Sequence, residues 1–199
     1  TDFGEGLRMG VEVFHALRAV CRERGLNTAV GDEGGFAPNL SSNEEAIQLI
    51  LEAVAAAGYS PDRDIFIALD AASSEMYEGG KYNYNGQKIT AEELVEAYAG
   101  MMKSSPLISI EDGLDENDWE NWSKLVARIG DRVQIVGDDL LVTNTEKVKR
   151  AIKEKAANSL LFKVNQIGSL TEAFASAQLA QRHNMTVVTS HRSGETEDT

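Results

Sequence analysis

The chain has 199 residues, 42% of them hydrophobic and 26% charged, which is enough for one sizeable core and too apolar for a disordered polyelectrolyte. Nineteen Lys and Arg against 32 Asp and Glu leave a formal net charge of −13, which repels phosphate backbones and anionic lipid and argues against nucleic acid or membrane partners. A single cysteine, Cys21, excludes an intrachain disulfide and agrees with a reducing, cytoplasmic setting, and no stretch nears the roughly 18 consecutive apolar residues of a membrane span.

In chain order, Leu7, Val11, Phe14, Leu17 and Cys21 recur at helical spacing and predict a helix with Cys21 on its packed face. Residues 28–30 predict a short strand that stops at Gly31-Asp32-Glu33, and the paired Gly34-Gly35 predicts a tight turn behind it. Five more apolar runs, at 65–69, 107–110, 133–136, 160–162 and 186–188, read as strands. Between them lie helix starts of the S/T-x-x-E kind at Ser42 and Glu45, Thr90 and Glu93, Thr143 and Glu146, and Ser169 and Glu172. Residues 78–87, with Gly79-Gly80 and Asn85-Gly86 among tyrosines, predict a hairpin, and Trp119, Trp122, Leu125, Val126 and Ile129 predict one apolar helix face. Alternating strands and helices imply βαβ units on a parallel sheet. From Glu111 onward the strand ends recur every 25 to 28 residues, about one βα unit of a TIM-like barrel. The expected fold is therefore α/β, a partial (β/α)8-type barrel truncated at both ends.

The predicted strands end on Asp70, Glu111, Asp138, Lys163 and His191, so reactive groups gather at one end of the sheet, where such barrels place their chemistry. Three carboxylates on strand ends repel one another unless a cation sits between them, and a hard divalent ion, Mg²⁺ above all, suits Asp70, Glu111 and Asp138. Asp112 and Asp139 would point the other way if the strand pleat continues, as supporting or capping groups. Lys163 beside a divalent cation is disfavoured as an ammonium and suits a base, while Glu33 on its glycine turn suits an acid opposite it. Arg192, Ser193 and Gly194 offer a guanidinium fork, a hydroxyl and close backbone approach to an anion, next to His191. No phosphate-binding Gly-Lys loop, zinc-protease helix, Cys/His zinc spacing or nucleophile elbow occurs.

The strings GDEGGFAPN, ALDAASSE, SIEDG, GDDLLVTN, KVNQIGSLTE and SHRSGETED, in this order, resemble the enolase (phosphopyruvate hydratase) family, and SIEDGLDENDW resembles its bacterial form. The resemblance implies Mg²⁺-dependent, reversible dehydration of 2-phosphoglycerate to phosphoenolpyruvate in glycolysis. It implies Lys163 as the base and Glu33 as the acid, Asp70, Glu111 and Asp138 as Mg²⁺ ligands, and Lys163, His191, Arg192 and Ser193 as substrate contacts. It also implies that residues 1–199 are the central part of the C-terminal barrel. A preceding α+β domain, the first barrel strands with another glutamate, and the barrel's C-terminus with a second lysine would lie elsewhere. Phe162 stands where the family more often has an aliphatic residue. The full-length form is expected to be a cytoplasmic homo-oligomer with a possible secondary cell-surface or secreted pool, and the segment alone to fold poorly and show little or no activity. Two alternatives stay open: another lyase or racemase of the wider superfamily, and a non-catalytic surface-binding protein.

Overall fold

The computed structural model describes residues 2–31 and 34–192. These fall into two compact units, Thr1–Ile67 with Ser104–Pro106, and Ala68–Lys103 with Leu107–Thr199.

The first unit is a pair of helices with its connecting loops. Helix α1 (Phe3–Glu23) starts at Asp2, whose carboxylate accepts the Glu5 N–H at 2.8 Å. Helix α2 (Asn43–Ala56) starts at Ser42, which accepts the Glu45 N–H at 3.2 Å, while the Glu45 carboxylate reaches back to Ser41. Val20 and Cys21 of α1 and Ile47, Leu49, Ala53 and Val54 of α2 are buried. Cys21, 1% exposed, is a core residue as expected, but Leu7 and Val11 on the same stripe are 60% and 47% exposed. The strand expected at 28–30 does not form. Val30 makes only an isolated antiparallel bridge to Phe36, and Gly31 N–H donates to Gly35 C=O at 2.8 Å, so the glycine turn satisfies this backbone locally and leaves no strand to extend.

The second unit carries the sheet. Its strands are β1 (Ile67–Asp70), β5 (Leu107–Glu111), β6 (Gln134–Gly137), β7 (Ser159–Phe162) and β8 (Thr186–Thr189), in the order β1-β5-β6-β7-β8. Pairings from β5 to β8 are parallel, with registers such as Glu111 opposite Val136 and Phe162 opposite Thr189. Helices α4 (Trp119–Ile129), α5 (Thr145–Glu154) and α6 (Leu170–Arg182) come after β5, β6 and β7 in turn. All four residues of β7 are buried, as expected of a parallel strand covered on both faces. Between β1 and β5 lie a short 3₁₀ turn (Ser73–Met76), the predicted hairpin as β2 (Tyr77–Glu78), β3 (Lys81–Tyr84) and β4 (Gln87–Ile89), and helix α3 (Ala91–Ser104). Among the described residues no helix is long and apolar enough to cross a membrane.

Helices start at the predicted boxes of Thr90 and Glu93, which exchange hydrogen bonds, and of Ser169 and Glu172. The box at Thr143 fails. Asn144 caps α5 instead, accepting N–H groups from Glu146 at 2.9 Å and Lys147 at 3.2 Å. Asn is at least as good a cap as Thr, so the neighbouring Thr143 is released for another role. Trp122, Leu125 and Ile129 of α4 are fully buried, and the Trp122 Nε1–H donates to Asp115 C=O at 3.0 Å.

Candidate active site

The ends of β1, β5, β6 and β7 lie side by side, so the side chains at the close of each strand decide what the site can do. Asp70 closes β1, and its Oδ1 accepts the Ala72 N–H at 3.1 Å. Glu111 closes β5, and its C=O accepts the Ala71 N–H at 3.0 Å, which ties the two strand ends together.

The loop that leaves Glu111 is clamped from several sides. Asp115 N–H donates to Tyr82 Oη at 2.9 Å, and Tyr98 Oη–H donates to Gly113 C=O at 3.0 Å. Tyr82 and Tyr98 are essentially unexposed, so the loop is held by the hairpin and α3 without water.

Asp112 departs from the expected pleat. Its φ of +43° puts the backbone in the left-handed region, and the side chain turns toward β6. There its two oxygens accept the N–H groups of Asp138 and Asp139, each at 3.0 Å. Among the described residues, ligand atoms of Asp112, Asp138 and Asp139 lie within 4.8 Å of one another, a cluster that shares only Asp138 with the trio expected from the sequence. Because both Asp112 oxygens are already occupied by amides, Asp112 serves better as the holder of the β6 end than as a donor to an ion. It supports the end of β6 as a capping group, and its left-handed backbone ends the pleat on which the expected direction depended.

Asp138 comes directly after β6 and is 8% exposed. One oxygen, Oδ2, pairs with Lys163 Nζ at 2.5 Å. The other, Oδ1, is buried with no hydrogen-bond partner among the described residues. Burial raises Glu111 to about 7, and the charges of Asp70, Asp138 and Asp112 add to that rise. Burial also pushes Asp70 up, with the Asp138 charge adding and the Ala72 N–H opposing. Asp70, Glu111 and Asp138 thus feel one another's charge, but their ligand atoms do not gather within 4.8 Å as those of Asp112, Asp138 and Asp139 do. The carboxylate oxygens here, among them the buried and unpartnered Asp138 Oδ1, are of the kind that suits a hard divalent cation such as Mg²⁺, with Asp70 itself exposed.

Lys163 comes directly after β7. Its backbone N–H donates to Thr143 Oγ1 at 3.0 Å, so the residue expected to cap a helix instead holds the lysine. Thr143 is fully buried, and both it (φ +52°) and Val142 (φ +42°) occupy the left-handed region. Two consecutive β-branched residues there carry strain of order 1–3 kcal/mol each, which the surrounding contacts must offset. The sequence signal that could have found Thr143 is the Thr-Asn pair, which offers two caps for one helix start.

After β8, Ser190 N–H donates to Phe162 C=O at 3.0 Å and prolongs the β7–β8 pairing. Arg192 Nε–H donates to Asn165 Oδ1 at 3.1 Å, so the guanidinium is fastened to the loop that starts at Lys163. His191 lies on the same segment and is exposed. The structure thus pairs Asp138 with Lys163, sets Asp70 and Glu111 at neighbouring strand ends, and ties Arg192 to the Lys163 loop. Glu33 and Ser193 lie outside the described residues.

Carboxylates and a lysine at strand ends are groups that can hold a cation and exchange a proton. The family model for the enolase C-terminal TIM barrel domain matches residues 1–199, and the chain belongs to that family.

Proposed function

We propose that this chain carries the reaction centre of an enolase in the strict sense, a Mg²⁺-dependent hydro-lyase that interconverts 2-phosphoglycerate and phosphoenolpyruvate. The observation that carries the reading is the pair of Lys163 Nζ and Asp138 Oδ2 at 2.5 Å, beside the unpartnered Asp138 Oδ1. Six motif strings resembling those of the phosphopyruvate hydratases support it.

In this reading Asp70, Glu111 and Asp138 hold the ion. When bound, a divalent cation supplies positive charge for the substrate carboxylate that gains electron density as the α-proton leaves. Lys163 takes the proton from C2, and the electrons of that C–H bond form the C2=C3 double bond. Glu33 gives a proton to the departing C3 hydroxyl, which leaves as water. Arg192 with Ser193 binds the phosphate through its planar donor fork, and His191 completes the substrate contacts. Among the described residues the sheet has five strands against eight in a closed barrel, and in this reading residues 1–199 alone are inactive or nearly so.

The discriminating experiment offers the full-length protein, with Mg²⁺, either 2-phosphoglycerate or non-phosphorylated α-protonated acids. Turnover confined to the phosphorylated acid supports the proposal. Turnover or racemisation of the others, without phosphoenolpyruvate, would assign another reaction of the superfamily.

A further inference from the structure

We infer that Thr143 is a positioning residue for Lys163, its hydroxyl serving as the peg on which the backbone of the base is hung. The loop 138–144 makes the connection. Its first residue, Asp138, accepts at its carbonyl the N–H groups of Leu141 at 3.0 Å and Val142 at 2.7 Å, so the chain coils tightly straight after β6. That coil forces Val142 and Thr143 into the left-handed region, which β-branched residues avoid. The strained turn aims the Thr143 hydroxyl across to β7. There Oγ1 accepts the Lys163 N–H at 3.0 Å and lies 3.1 Å from Gln166 Oε1, to which it donates. Behind it, Ser176 Oγ–H of α6 donates to Thr143 C=O at 2.8 Å, fixing the turn from the far side.

The consequence is a closed circuit. Asp138 and Lys163 meet at their side chains at 2.5 Å and are joined a second time through the backbone of 138–143 and the Thr143 hydroxyl. A lysine has a long, freely rotating side chain, and fixing its Cα is the first requirement for holding Nζ at one place. The fully buried position suits a small side chain that carries a hydroxyl. Serine can make the same hydrogen bond. Valine keeps the shape but leaves the Lys163 N–H facing a methyl group.

The inference rests on the proposed proton-abstracting role of Lys163, so the test has two arms. In the full-length protein, Thr143→Val is expected to lower kcat for 2-phosphoglycerate by on the order of tenfold to a hundredfold, the cost of a small misplacement of a reacting group, with KM within about twofold. Thr143→Ser is expected to restore most of kcat. Independently of any substrate, amide hydrogen exchange at Lys163 is expected to speed up in Thr143→Val and to stay slow in Thr143→Ser. If the wild type makes no phosphoenolpyruvate, the functional proposal falls, and the exchange arm alone decides whether the peg exists. A folded Thr143→Val protein with wild-type kcat overturns the inference. So does a Thr143→Ser protein as impaired as Thr143→Val, or unchanged exchange at Lys163.

Discussion

Lys163 Nζ and Asp138 Oδ2 lie 2.5 Å apart with only 17% and 12% of their side chains exposed, the one ion pair among those described that is sheltered on both sides. The other described pairs, such as Lys124 with Glu92 and Arg128 with Glu96, are largely exposed and contribute little. Breaking a sheltered pair leaves a charge without its partner. Asp138→Ala is therefore expected to weaken Mg²⁺ binding, measured by calorimetry, by at least about tenfold to a hundredfold, the range seen when even an outer partner of a metal site is lost. Glu92→Ala is the control and should leave Mg²⁺ binding unchanged.

The raised carboxyls make stability depend on pH in a defined direction. Glu111 stands at about 7 against an ordinary 4.5, raised by burial and then by Asp70 and Asp138. Asp112 stands at about 7 against 3.8, raised by burial, partly offset by the Asp139 and Asp138 amides. An acid raised on folding keeps its proton longer in the native state, so the native state binds more protons between the ordinary and the raised values. Without divalent cation, the melting temperature of the protein should fall as pH rises from about 4.5 to 7 through these two groups. Mg²⁺ should reverse the fall and release protons on binding near pH 6. A melting temperature that rises across this window in chelator would contradict the assignment.

Asp112→Asn keeps the shape but offers one carbonyl oxygen where two amides need acceptors, and turns an NH₂ toward the second. With Asp112 only 5% exposed, water cannot fill in. A loss of about 1–3 kcal/mol in denaturant-measured stability is expected, the cost of a buried unsatisfied donor.

Gly137, just before Asp138, has no room for a methyl group. A Cβ built there lies 2.8 Å from Leu141 Cγ and 3.0 Å from Cδ1, and Leu141 is fully buried. Gly137→Ala should cost about 1–3 kcal/mol through overpacking and weaken Mg²⁺ binding by shifting Asp138. Unchanged thermal unfolding would show that Leu141 can move aside.

Much of this was legible in the sequence, and the exceptions have physical causes. Asp70 and Glu111 close their strands and Asp138 and Lys163 come directly after theirs, because short apolar runs alternate with helix starts along the chain, the run Ser159–Phe162 being buried throughout. Residues 28–30 have the composition of a strand, but the turn at Gly31 and Gly35 satisfies that backbone locally. The turning of Asp112 toward β6 depends on one positive φ at a non-glycine residue, which no pleat argument contains. Thr143 and Asn144 compete for one cap, and the loser of that competition becomes the support of Lys163. Leu7 and Val11 continue a helical stripe of which the fold fully buries only Cys21.

The most direct test of the central claim tracks 2-phosphoglycerate by phosphorus NMR in the presence of the full-length protein and Mg²⁺, side by side with its Lys163→Ala variant. The account predicts phosphoenolpyruvate from the wild type and none detectable from Lys163→Ala, with Mg²⁺ binding by the variant largely retained. Phosphoenolpyruvate formed at an undiminished rate by Lys163→Ala, or none formed by the wild type, would contradict it.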